Sequence, residues 1–343
     1  MRLRSSAAVV LSLALLAVPT AAHTESAPSP VAAPAAAAAP DARTQHVLAI
    51  SVDGLNPAAI RRLGRTRAPH LYQLIDQGVS TLNARTAVER TTTLPNHTSM
   101  LTGRRVTASR GGHGVTWDDD RPGTTVQQAA GHSVASVFTV VHDAGGSTAL
   151  FASKAKFSLY QRSWPQAIDR SFTRDDEAAT VRQVRRDLRT RTRAFTFLHL
   201  ARPDRAGHEY GFLSSRYLTA VAKVDDEIGA VLDTIAAEPA LDDLVVVLTS
   251  DHGGAQGSRS HSDASLLANY TVPFIVWGPT VDRGDLYQFN PDYRDPVGGR
   301  PGYGAERQPV RNGDLANLAT ALLGLGPVPG SELNDAQNLD VAL

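Results

Sequence analysis

The chain has 343 residues, enough to bury one large core or two of ordinary size. Lys+Arg number 34 against 34 for Asp+Glu, so net charge offers nothing to a polyanionic partner. There is no cysteine, so the fold must be stable without disulfides. Lysine occurs only at Lys154, Lys156 and Lys223; the remaining basic residues are arginine.

Arg2 and Arg4, then the apolar run Ala7–Val18 and the small residues Thr20-Ala21-Ala22, read as a secretory signal cleaved after about Ala22. The run is short for a membrane span, so a secreted mature protein with no stable span is expected. Residues 23–43 are rich in Ala, Pro and Ser and read as a disordered linker, leaving 44–343 as one catalytic domain.

Val47–Val52 is a continuous apolar run of strand formers ending at Asp53-Gly54, as a buried parallel strand does at its carboxyl edge. Ala58–Leu63 and His70–Gln77 read as helices. Thr93 reads as the N-cap of a helix that ends near Gly103, with Pro95 in its first turn. Residues 104–133 form a polar, glycine-rich loop containing Asp118-Asp119-Asp120. Val134–Asp143 is an amphipathic helix, Thr148–Ala152 a strand, and Asp175–Thr192 a charged surface helix. Ala194–Leu200 is a strand, Arg216–Ala237 a long helix, and Leu244–Leu248 and Val272–Trp277 two more strands. Residues 280–310 read as a surface excursion and Leu315–Leu323 as the last helix. This alternation predicts an α/β fold: a doubly wound, mostly parallel central sheet with helices on both faces.

Three strands end in acidic residues, Asp53, Asp204 and Asp251, and ligand sites of open α/β sheets lie at that edge. Asp251-His252 is an adjacent pair, Asp204 and His208 are one helical turn apart, and His261 follows in a Ser/Arg/Gly loop. Carboxylate and imidazole without thiolate suit Zn²⁺ or a similar divalent ion, and the ligands suffice for two. A Thr93 hydroxyl at a helix start faces unpaired N–H groups and the positive end of the helix dipole, a place to hold phosphate. Each feature alone has a plain structural reading as cap, turn or solvated loop; their coincidence at strand ends points to a site.

Ile50-Ser51-Val52-Asp53-Gly54-Leu55, Thr93-Leu94-Pro95-Asn96-His97, Pro203-Asp204-Arg205-Ala206-Gly207-His208 and Ser250-Asp251-His252-Gly253-Gly254 occur in one order. That order resembles the alkaline phosphatase superfamily, in particular its type I phosphodiesterase/nucleotide pyrophosphatase family, over roughly residues 45–330. The resemblance implies a hydrolase of phosphoric esters with two zinc ions, or another divalent ion in one site. One would be bound by Asp53, Asp251, His252 and the Thr93 oxygen, the other by Asp204, His208 and His261. It implies Thr93 as nucleophile with a phospho-threonine intermediate, and a small phosphate ester as substrate. Asn96 and His97 belong to the motif as supporting residues.

The chain departs from the family pattern at Asp118, where an Asn that donates to the phosphoryl oxygen is usual. Lys154 and Lys156 are candidates to supply the missing positive charge as substrate-binding residues, as basic residues after this strand do in monoesterase relatives. The preference therefore stays open between diesterase and monoesterase (alkaline phosphatase) activity, with a catalytically weakened metal-binding homologue as the further alternative. Trp117, Tyr160, Trp164 and Tyr210 serve either a pocket or packing. No nucleic-acid platform is evident, because the arginines of 182–193 are interleaved as on a solvated helix face. The oligomeric state is not legible.

Overall fold

A computed structural model describes residues 46–342. The signal and linker readings, residues 1–22 and 23–43, lie outside the described residues.

In chain order, β1 (Val47–Val52) leads through Asn56, whose side chain caps α1 (Pro57–Arg67), to α2 (Pro69–Gln77) and β2 (Val79–Arg85). Next come α3 (Thr93–Thr102), a short α4 (Val126–Ala130) and α5 (Val137–Asp143), then β3 (Thr148–Ala152), α6 (Ser158–Ser163) and β4 (Arg170–Thr173). α7 (Glu177–Thr190), capped by Asp176, precedes β5 (Phe195–Leu200), α8 (Arg202–Tyr210) and the long α9 (Ser215–Ala236). β6 (Val245–Thr249), α10 (Leu267–Tyr270), β7 (Thr271–Trp277), β8 (Gly284–Asp285), α11 (Leu286–Phe289) and α12 (Leu315–Leu322) complete the described chain.

The strands form one eight-stranded sheet in the order β4-β3-β5-β1-β6-β7-β2-β8. β1 is central and parallel to both neighbours, with Val47 opposite Phe195 of β5 and Val245 of β6. β7 runs antiparallel to β6 and to β2, so the carboxyl ends of β1, β2, β3, β5 and β6 share one edge. The period-2 alternation of β1 divides the core. Val47 and Ala49 face a cluster with Leu94 and Met100 of α3, Phe138 of α5 and Leu315 of α12. Leu48, Ile50 and Val52 face the other cluster, with Ile60 of α1, Leu71 of α2, Val184 of α7 and Val224 of α9. Helices therefore cover both faces of a mostly parallel sheet, as expected.

The departures have local causes. β2 is absent from the sequence reading because Ser80, Thr81 and Asn83 break its apolar run; a register shift between Thr81 and Ala84 accommodates it against β7. β4 is a short edge strand with exposed Arg170, carrying little hydrophobic signal. Within 104–133, α4 is created by a Thr125/Gln128 capping box. Trp164 and Tyr160 are buried packing residues. Among the described residues, no helix is long and apolar enough to cross a membrane.

Ile50 is fully buried at the centre of the sheet, so Ile50→Ala should cost about 2–5 kcal/mol. Urea unfolding would show a lowered midpoint at unchanged slope; a loss under about 1 kcal/mol would mean the neighbours collapse into the gap.

Candidate active site

The acidic strand ends are tied together by backbone. Gly54 turns at φ 70°, a conformation that suits glycine, and a Cβ there would lie 3.1 Å from Asp204 Cα. The Gly54 N–H donates to Asp251 Oδ1 at 3.0 Å, the Asp204 N–H donates to Asp53 O at 3.1 Å, and Tyr217 donates to Gly54 O at 2.6 Å. The loops after β1, β5 and β6 therefore converge.

Two groups result, Asp53–Asp251–His252 and Asp204–His208–His261, each with its ligand atoms within 4.8 Å of one another. Asp204 and His208 lie one turn apart on α8, with His208 Nε2 3.3 Å from Asp204 Oδ1. His261 Nε2 lies 3.5 Å from the same oxygen. Each imidazole places Nδ1 against a backbone carbonyl: His208 to Arg259 O at 2.8 Å, His252 to Gly253 O at 2.9 Å, His261 to Thr91 O at 2.6 Å. A neutral ring donating from Nδ1 to a carbonyl keeps a lone pair on Nε2, the arrangement a metal ligand requires. His252 and His261 stack with centroids 3.4 Å apart.

Four buried atoms converging here, Asp53 Oδ1, Asp204 Oδ1, Asp251 Oδ2 and His252 Nε2, have no hydrogen-bond partner. Buried carboxylate oxygens without partners are costly, and their convergence fits bound cations. Without a cation, protons meet the buried charge instead. Burial and the adjacent Asp53 push the Asp251 carboxyl up to about 8. Burial opposes a charge on His252, yet Asp251 and its neighbouring carboxylates raise it to about 9. Burial, with His252 alongside, lowers His261 to about 3. The residues present therefore fit two divalent ions bound through oxygen and nitrogen.

Thr93 is buried beside these groups, but it is not the N-cap. Thr92, in extended conformation, occupies that position, and Thr93 is the first residue of α3. No hydroxyl caps this end; the Asp118 carboxylate does, with Oδ1 accepting from the Leu94 N–H at 2.8 Å. The same oxygen takes a bond from Lys156 Nζ at 2.9 Å, and Lys156 also donates to Asp118 O at 3.0 Å. Lys154 Nζ lies 2.7 Å from both Asp53 Oδ2 and Asp204 Oδ2, and 3.4 Å from Thr93 Oγ1. Burial works against this ammonium, but the two carboxylates overcome that and hold its pKa far above the usual lysine value. Both lysines are thus engaged by carboxylates of the chain.

Asn96 accepts from the Ala87 N–H at 2.9 Å and donates to Arg90 O at 2.8 Å, pinning the segment before Thr93 onto α3. His97 joins Thr93 O (2.8 Å) to the Ser51 hydroxyl (2.7 Å). Three contributors escaped the sequence reading. His199 on β5 holds Asp53 Oδ2 through Nε2 at 2.8 Å; a histidine inside a fully buried strand was its only signal. Thr91 grips the His261 backbone and ring together. Glu177, buried at the start of α7, accepts from the backbone N–H of Ala201 at 2.5 Å and Arg202 at 2.8 Å. It thereby caps α8, the helix that carries Asp204 and His208. No local pattern links Glu177 to residues twenty-four and twenty-five positions later.

The fold and the two ligand groups define a member of the alkaline-phosphatase-like class. The profile of the type I phosphodiesterase/nucleotide pyrophosphatase family matches residues 47–308, and the chain belongs to that family. Among curated relatives, a bis(5'-adenosyl)-triphosphatase of Xenopus laevis is 24% identical over 71% of this chain and 56% of its own length. GPI ethanolamine phosphate transferase 1 of Saccharomyces cerevisiae is 28% identical over 38% of this chain, which spans 14% of that protein. Murine ectonucleotide pyrophosphatase/phosphodiesterase 5, solved as an inactive variant in complex with AMP, superposes with a TM-score of 0.63 at 14% identity, covering 86% of this chain and 99% of that one. A 2-O glycosaminoglycan sulfatase superposes with a TM-score of 0.59 at 14% identity, over 83% of this chain and 72% of that one.

Glu177→Ala should weaken Zn²⁺ binding at Asp204–His208–His261 by about 10–100-fold while leaving the other group's affinity in place. Chelator-competition titration resolves the two affinities; two unchanged constants would detach Glu177 from the site.

Proposed function

We propose that this chain is a metal-dependent phosphoric diester hydrolase in which Thr93 is the nucleophile. The observation that carries the reading is the convergence of unpartnered buried carboxylate and imidazole lone pairs beside the Thr93 hydroxyl. Asp53, Asp251, His252 and the Thr93 oxygen would hold one divalent ion, and Asp204, His208 and His261 the other, with zinc favoured by the donor set. Such ions supply Lewis acidity, which lowers the pKa of a coordinated hydroxyl and neutralises charge on the transferring group.

The chain's residues account for the rest. Thr93 Oγ1 gives up its proton to solvent and attacks phosphorus; the bond to the leaving oxygen breaks as the phospho-threonine forms, and the departing alkoxide takes a proton from solvent to leave as the alcohol. Lys154, 3.4 Å from Thr93 Oγ1, stabilises the alkoxide. Water then cleaves the phospho-threonine ester, releasing a phosphate monoester and restoring the hydroxyl. His199 and His261 are held neutral by burial, and His208 and His252 would give up the Nε2 proton to act as ligands, each ring oriented by Asp53 or by a backbone carbonyl.

A diester is favoured over a monoester because neither lysine is free. Lys154 is shared by Asp53 and Asp204, and Lys156 is paired with Asp118, so neither ammonium is free to meet a second phosphoryl charge. The relatives named as acting on, or solved with, adenosine phosphates support a nucleotide-containing ester as the substrate class. The signal-like residues 1–22 support a reaction outside the cell.

Purified protein loaded with Zn²⁺ should hydrolyse bis-p-nitrophenyl phosphate, and chelation should abolish the rate. Thr93→Ala should retain the fold and lose at least about 1,000-fold in kcat. Turnover that survives chelation, or survives in Thr93→Ala, would sink the reading.

A further inference from the structure

We infer that Asp118 is a specificity-determining residue: it withholds a cation and a backbone donor from the phosphoryl group, so the site discriminates against the dianionic monoester. The inference rests on the diesterase reading above and names the device behind it. Three contacts carry it. Asp118 Oδ1 occupies the Leu94 N–H, the amide next to the nucleophile and at the positive end of α3, at 2.8 Å. The same oxygen binds Lys156 Nζ at 2.9 Å, and the Asp118 carbonyl binds it again at 3.0 Å. The pair is accessible rather than locked in the core, with side-chain exposures of 36% for Asp118 and 16% for Lys156.

An anion of the chain therefore already sits at the α3 terminus, where a phosphoryl oxygen would be stabilised. A phosphate monoester carries between one and a half and two negative charges, roughly, near neutral pH, a diester one. Placing the extra charge beside a carboxylate incurs repulsion unless a cation is released to meet it. Among the described residues, the nearby ammonium that does not bridge Asp53 and Asp204 is Lys156, and Asp118 holds it. The neighbouring acids do not compete for Lys156: Asp119 pairs with Arg121, and Asp120 with Arg162.

Asp118→Asn tests this without disturbing the cap. A carboxamide oxygen still accepts from the Leu94 N–H, while the negative charge is lost and Lys156 keeps only neutral acceptors, the residue-118 carbonyl among them. With zinc-loaded protein, kcat/KM would be measured for p-nitrophenyl phosphate and bis-p-nitrophenyl phosphate in wild type, Asp118→Asn, Lys156→Met and the double variant. Asp118→Asn should raise the monoester-to-diester ratio by at least about tenfold. The gain should shrink with added salt, as befits a partly exposed charge. In the double variant most of the gain should vanish, because the released ammonium carries it.

Binding of inorganic phosphate to the same four proteins, by calorimetry, gives a readout independent of turnover. Asp118→Asn should bind phosphate at least about tenfold more tightly than wild type, and the double variant should not. An unchanged ester ratio together with unchanged phosphate affinity would overturn the inference. Wild type inert on both esters would instead count against the diesterase reading, and the phosphate titration would still decide the role of Asp118.

Discussion

Three carboxylates, Asp53, Asp204 and Asp251, are buried together at one edge of the sheet, and most of the architecture around them answers that fact. Like charges brought out of water repel, and each needs donors or cations to remain ionised. The protein meets part of the need itself. Lys154 bridges two of the three, His199 holds Asp53, and the Gly54 and His252 amides hold Asp251. One oxygen of each carboxylate is left facing the same small space with no protein partner. That division of labour, one oxygen held by the chain and the other presented, is what a site for divalent ions requires.

The sheet makes the arrangement possible. β1, β5 and β6 are parallel neighbours, so their carboxyl ends open together, and each acidic residue needs only a short turn to reach its partners. β7 is antiparallel, which turns β2 back into the common direction and delivers the segment before Thr93 to the same edge. Thr91 then grips His261 across 170 residues of chain, coupling the approach to α3 with the last imidazole of the site. Rigidity of this kind matters for in-line transfer at phosphorus, where a misplaced nucleophile costs rate.

Asp118 shows how a departure from a family pattern takes on meaning once its contacts are known. In sequence it reads as the loss of a hydrogen-bond donor to the phosphoryl group. In the structure it is at once a helix cap and the counter-ion of Lys156. The two lysines look alike in sequence, yet one braces the metal-like carboxylates and the other neutralises Asp118. Their difference comes from which loop each meets, not from the residues themselves.

Strands with continuous apolar runs, the long amphipathic helices, the three acidic strand ends and the histidines near them were legible in the residues alone. Those signals are local: period-2 or period-3.6 burial, and turn chemistry at a strand's end. The family resemblance supplied the grouping of ligands. The remaining features depend on long-range contacts. β2 and β4 depend on neighbours for their pairing and carry weak patterns of their own. The N-cap of α3 fell at Thr92, one residue before the expected Thr93, and a distant carboxylate, Asp118, takes the place of the capping hydroxyl. Glu177 and His199 support the site through contacts spanning 24 and 146 residues, and a side chain's sequence neighbours say nothing about partners so far away.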